Sequence, residues 1–171
     1  MCRFLAYKGE PVILDKLLYQ PENSLVNQSF DSKEMKEPLN GDGFGIGWYI
    51  PDIEETPAVF TSIQPAWHNQ NLKNLAPKVI SGTLFAHVRA ATLGQISETN
   101  YHPFQYGKYL FMHNGSLGEF PSIKRGIRKR LSDEIYNSIS GETDSEHLFA
   151  LFLEYLHHSD DMLCMETALS N

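Results

Sequence analysis

Cys2 stands directly behind the initiator methionine. If Met1 is removed, this one residue carries a thiol nucleophile and a free α-amine. An α-amine titrates near about 7.7–8.0, so it can accept a proton close to neutral pH. Nucleophilic enzymes usually bring that base from a separate side chain. Cysteine is small enough at the second position for methionine aminopeptidases to act. The plainer reading is a buried cysteine opening a first strand, and position alone does not separate the two.

Three further segments carry residue types suited to chemistry. In His87-Val88-Arg89-Ala90-Ala91-Thr92, the planar fork of Arg89 suits bidentate binding of a carboxylate, or a structural ion pair at a sheet edge. In His113-Asn114-Gly115, Asn-Gly marks a hairpin corner. The same three residues also suit an oxyanion hole built from the Asn114 side-chain amide and the Gly115 N–H, where glycine permits close approach. In Gly141-Glu142-Thr143-Asp144-Ser145-Glu146, Asp144 reads as an acid at a helix start or as the partner of a substrate ammonium. One carboxylate can do both.

The elements that must hold these residues read as strands first and helices later. Cys2–Tyr7 is a short apolar run fit for a strand, and Pro11–Tyr19 shows helical spacing. Residues 23–32 are polar and read as loop. Gly43–Ile50 alternates small and bulky residues, as a strand passing close to another backbone does. An acidic, Pro-bounded loop over 51–57 leads to a strand at Ala58–Ile63, followed by a short helix over His68–Leu75. Leu84–Ala90 and Tyr109–His113 are the next strands. Ser122–Ser132 reads as a basic helix with a solvated face. Thr143-x-x-Glu146 has the form of a capping box, and Leu148, Phe152, Tyr155 and Leu156 behind it recur at helical spacing.

Composition narrows the function classes. The 171 residues are 42% hydrophobic and 20% charged, ordinary values for a globular chain. A formal net charge of −7 argues against nucleic-acid binding. No apolar run approaches the roughly 20 residues that span a bilayer, and no secretory apolar stretch opens the chain. Cys2 and Cys164 make no disulfide framework, which points to a reducing, cytoplasmic setting. Seven histidines lack the spacing of a metal-binding helix, so neither metal nor other cofactor is expected. A metal-dependent hydrolase built on His87, His102 and His113 is the remaining alternative on that point. His102-Pro103-Phe104 reads as a loop anchor and Cys164 as core.

Cys2, Gly41-Asp42-Gly43-Phe44-Gly45, His87-x-Arg89-x-x-Thr92, His113-Asn114-Gly115 and Thr143-Asp144-Ser145-Glu146 occur in the order of class II glutamine amidotransferases, which are N-terminal nucleophile hydrolases. The chain resembles the small stand-alone branch of that family over residues 2–171. The resemblance implies an α+β fold, an αββα four-layer sandwich that this chain is expected to leave incomplete at its C-terminal end. It implies that Cys2 attacks the side-chain amide of glutamine or of a small γ-glutamyl compound, forming a γ-glutamyl thioester. Asn114 and Gly115 would hold the oxyanion, Arg89 the substrate α-carboxylate and Asp144 its α-ammonium. Thr92 would border the carboxylate, and His87 would support Arg89 or contact substrate. The expected partners are that small molecule and, in the amidotransferase case, a synthase or partner subunit receiving ammonia; nucleic acid and membrane are not expected. The alternative is a catalytically incomplete homologue acting as a binding or interaction module.

Overall fold

The structure is a computed structural model and describes residues 2–30, 40–89 and 97–158. The chain forms two compact units, Met1–Asn114 and Gly115–Asn171. In the first, β1 (Arg3–Ile13), β2 (Phe44–Ile50), β3 (Glu54–Ser62) and β4 (Ile80–Val88) make an antiparallel sheet in the order β1-β4-β2-β3.

The alternation of β2 divides the two faces of this sheet. Its bulky residues Phe44 and Ile46 join Leu84, Ala86 and Val88 of β4 on one face. There they pack against Leu14 and Leu18 beside and within α1 (Asp15–Leu18), Leu25 and Val26 of α2 (Leu25–Phe30), and Leu72 of α3 (Gln70–Leu75). Each of these side chains larger than alanine is worth about 1.5–3 kcal/mol of burial. Gly45 and Gly47 of β2, and Gly43 just before it, face the other way, where residues 101–103 close on them. A Cβ at Gly43 would meet the Tyr101 ring at 2.6 Å, and one at Gly47 would meet Pro103 and Leu110 at 2.8 Å. A Cβ at Gly45 would fall on the carbonyl oxygen of His102. The strand does pass close to another backbone, the segment leading into β5 (Phe104–Tyr106), which pairs with β6 (Tyr109–Phe111) in a separate hairpin.

Several elements differ from the sequence expectations. The helix expected over Pro11–Tyr19 shrinks to α1, because Pro11, Val12 and Ile13 belong to β1. A register shift between Lys8 and Val12 lets β1 resume pairing with β4 through Val12 opposite Ser81. The polar stretch read as loop holds α2, which buries Leu25, Val26 and Ser29. β3 starts at Glu54 and β4 at Ile80, both earlier than composition suggests, because pairing extends each strand over polar residues.

The second unit contains α4 (Phe120–Arg128), α5 (Asp133–Ser138) and α6 (Asp144–His158) around a small core of Ile135, Phe149, Ala150 and Leu153. The helix expected over Ser122–Ser132 is α4, which starts two residues earlier and ends at Arg128, and a further helix, α5, follows beyond the expected span. At the start of α5 the Glu154 carboxylate accepts from the Ser132 N–H at 2.8 Å and its hydroxyl at 2.9 Å. The Glu146 N–H donates to Thr143 Oγ1 at 3.2 Å, which is one half of a capping box. The Glu146 carboxylate turns instead to the N–H groups of Ser140 and Gly141, each at 2.8 Å. No described helix is long and apolar enough to cross a membrane.

Candidate active site

β1 and β4 run antiparallel with Arg3 opposite Val88 and Phe4 opposite His87. The next step of this register sets Cys2 opposite Arg89, with both side chains on the face that carries His87 and the β2 glycines. The ladder continues across the sheet, since the Arg89 N–H donates to the Gly43 carbonyl at 2.9 Å and the Asp42 N–H to the Arg89 carbonyl at 3.3 Å. The chain after β6 returns to the same edge, where Asn114 Nδ2 donates to the Cys2 carbonyl oxygen at 3.2 Å. Cys2, Arg89 and Asn114 therefore share one end of the sheet.

Arg89 is only 7% exposed, and its Nη1 has no hydrogen-bond partner among the described residues. Its guanidinium lies 5.4 Å from the centre of the Tyr101 ring. Asn114 is exposed and Cys2 half-buried. A half-buried thiol, a buried cation with a donor to spare and an exposed carboxamide can respectively attack, grip an anion and donate to an oxyanion.

His87 lies beneath this arrangement. Its ring stacks on His102 at 4.5 Å between centres, and His102 in turn lies 4.6 Å from Phe104. Burial pulls the His87 pKa down to about 4, with Arg89 adding to the effect. Burial likewise takes His102 down to about 2, with His87, His113 and Arg89 contributing. Both rings are neutral near pH 7, which suits packing beside a cation and disfavours a role as general base there. Among the described residues no three His, Cys, Asp or Glu converge where a metal could bind.

Asn114 and Gly115 do not turn a hairpin among the described strands. The hairpin is β5–β6 and turns at Gly107, whose φ is +51°. In the second unit Gly115 is exposed, and Asp144 is the first residue of α6. One Asp144 oxygen accepts from the Leu117 N–H at 2.7 Å and the other from the Ser145 N–H at 2.8 Å. Both readings of Asp144 remain chemically open, because each carboxylate oxygen keeps a second lone pair. Thr92 and Cys164 lie outside the described residues. Tyr101 is a site residue that sequence reasoning passed over. It is 2% exposed and packs on Gly43 and Arg89. The signal was the aromatic, apolar run beside His102-Pro103.

A cysteine at position 2 and a buried arginine at one end of an antiparallel sheet, with an Asn-Gly pair following, are the arrangement expected of the N-terminal nucleophile type. The chain belongs to the class II glutamine amidotransferases, whose family model matches residues 20–170. It is 51% identical over 163 residues to the probable glutamine amidotransferase DUG3 of Saccharomyces cerevisiae, covering 91% of this chain and 46% of the yeast protein. It is 35% identical over 117 residues to the gamma-glutamyl-hercynylcysteine sulfoxide hydrolase of Mycolicibacterium smegmatis, covering 67% of this chain and 51% of that protein. The solved glutamine aminotransferase class-II domain protein from Silicibacter pomeroyi superposes with a TM-score of 0.69 at 28% identity, over 98% of this chain and 61% of the other. The α+β fold is thus that of the class II amidotransferase domain. The chain spans about half the length of the curated relatives it matches.

Proposed function

We propose that this chain hydrolyses the side-chain amide of glutamine or of a small γ-glutamyl compound through a covalent intermediate on Cys2. The observation that carries this reading is the meeting of Cys2, Arg89 and Asn114 at one end of the sheet. Once Met1 is removed, the Cys2 α-amine takes the thiol proton and the thiolate adds to the amide carbon. The Asn114 amide and the Gly115 N–H donate to the resulting oxyanion. Collapse breaks the C–N bond, the leaving nitrogen takes the proton back from the ammonium, and a γ-glutamyl thioester remains. Water then adds with the amine again as base, releasing the γ-carboxylate and restoring the thiol.

Arg89 would pair with the substrate α-carboxylate. Asp144 and Thr92 are assigned the α-ammonium and the edge of the carboxylate on the family pattern alone, and His87 the support of Arg89. Recognition of both charges demands a free γ-glutamyl end, because an internal glutamine has neither. The mycobacterial relative, named as a hydrolase of a γ-glutamyl compound, supports that substrate class. Relatives named as glutamine–fructose-6-phosphate aminotransferases make a partner that takes up the ammonia a second part of the proposal.

The test is intact mass before and after 6-diazo-5-oxo-L-norleucine, a glutamine analogue that alkylates the nucleophile. Loss of Met1 with one adduct mapped to Cys2 is expected. A retained Met1, or a processed chain that takes no adduct, would instead favour the non-catalytic binding module.

A further inference from the structure

Charge in the second unit is gathered in one place. Residues 115–171 hold ten Asp and Glu and five basic residues, and all five basic residues lie between Lys124 and Arg130. Four of them, Lys124, Arg125, Arg128 and Lys129, line a shallow, open cleft together with Pro121 and Tyr136. Positions 124 and 125 sit one turn before 128 and 129, so the cations form two pairs about 6 Å apart along α4.

Cations in the last turn of a helix offset its dipole. That accounts for Arg128 as a charge, but neither for Lys124 in the middle of the helix nor for how Arg128 is held. Arg128 Nε donates to His147 Nε2 at 2.9 Å. His147 Nδ1 lies 2.8 Å from the Thr143 carbonyl, which can only accept, so the ring is the Nδ1–H tautomer and Nε2 is the acceptor. His147 is fully buried, and burial keeps it below its ordinary pKa, hence neutral. The Arg128 guanidinium also lies 5.4 Å over the Tyr136 ring, and Lys124 lies 5.7 Å over Phe120. These side-chain contacts are to rings and an imidazole, not to carboxylates. Arg128 is thus fixed through its Nε edge, and its two terminal nitrogens are not taken by His147.

We propose that this cleft binds a small molecule carrying two linked phosphate groups. An oriented guanidinium fork suits one phosphate, and two pairs of cations a helical turn apart suit two anionic groups better than one. Two cation pairs within a single helical turn match a compact, doubly anionic ligand better than an extended acidic peptide. The proposal is independent of the glutamine chemistry.

The test is isothermal titration of the full chain with inorganic diphosphate at low and moderate salt. Saturable one-to-one binding that weakens with salt is expected. Arg128→Gln and the double variant Lys124→Ala/Lys129→Ala should each weaken it at least tenfold, while Lys108→Ala, outside the cleft, leaves it unchanged. Arg128→Lys keeps the charge but loses the fork and the bond to His147, and should still weaken binding. The double variant leaves the Arg128–His147 bond in place, so it decides the matter should an Arg128 variant fold poorly. The proposal is overturned by no binding at millimolar diphosphate, by affinity indifferent to these variants, or by inorganic phosphate binding as tightly. A hexaglutamate peptide binding tenfold more tightly than diphosphate would overturn it too, making this face a docking surface for an acidic segment.

Discussion

Arg89 and Asn114 touch different moments of the proposed reaction, and single substitutions separate them. Arg89 is buried with a spare donor, so a carboxylate arriving there gains a charge-assisted bond in both the ground and transition states. Arg89→Lys should therefore raise KM for glutamine tenfold or more, about 1.4 kcal/mol, with a smaller change in kcat. Asn114→Ala removes a donor to charge that exists only in the transition state. It should lower kcat by about 10²–10³, or about 2.7–4 kcal/mol, with KM nearly unchanged. Steady-state kinetics of the two variants reads the split, and identical profiles would remove the assignment. His87 and His102 carry a prediction of another kind. Their folded pKa values, about 4 and about 2, lie below the unfolded value of 6.5. Below pH 6.5 the unfolded chain binds protons that the folded chain refuses, so stability is full above 6.5 and falls with pH toward 4. Each ring contributes about 1.4 kcal/mol per pH unit within that window. Denaturant titrations between pH 7 and 5 should show this slope, and His87→Phe should reduce it. Cys2, Arg89 and Asn114 were singled out in the sequence by the order of their motifs, since each alone also has a plainer structural reading. The state of His87 and the place of Tyr101 were not, since both depend on which backbone covers the β2 glycines.

The close approach of residues 101–103 to β2 makes an element-scale prediction. Gly45→Ala would drive its methyl group onto the His102 carbonyl oxygen, so either the strand or the covering segment must move. Overpacking of this kind costs about 1–3 kcal/mol, read as a lower denaturation midpoint. Gly118→Ala meets nothing within 4 Å and should stay within about 0.5 kcal/mol of the parent. Equal effects at both positions would show that this backbone contact does not constrain β2. The alternation of β2 and the capping residue of α6 were readable because local pattern alone sets them. α2 was not, since a helix of six residues is held by burying Leu25, Val26 and Ser29 rather than by its own periodicity. The bulge that lengthens β1 is likewise a property of its pairing with β4, invisible in either strand alone.

At the scale of the whole chain, resistance to local opening should differ sharply between elements. β4 is hydrogen-bonded on both sides, to β1 and β2, and Leu84, Ala86 and Val88 are at most 1% exposed. The strand order that places β4 there was not legible in the sequence, because the 66 residues from Leu14 to Val79 separate β1 from β4. α4 contains no buried residue and is tied to α6 through the Arg128–His147 bond and the Phe120–His147 ring contact at 5.1 Å. Elements with few buried apolar contacts open at low free energy, and central strands open only near the global unfolding limit. Native-state hydrogen exchange should therefore show β4 and β2 amides protected at least a thousandfold more than those of α4. His147→Ala removes both ties at once and should speed exchange in α4 at least tenfold more, leaving β4 unchanged. Protection as high in α4 as in β4 would mean that α4 is held by more than its contacts to α6.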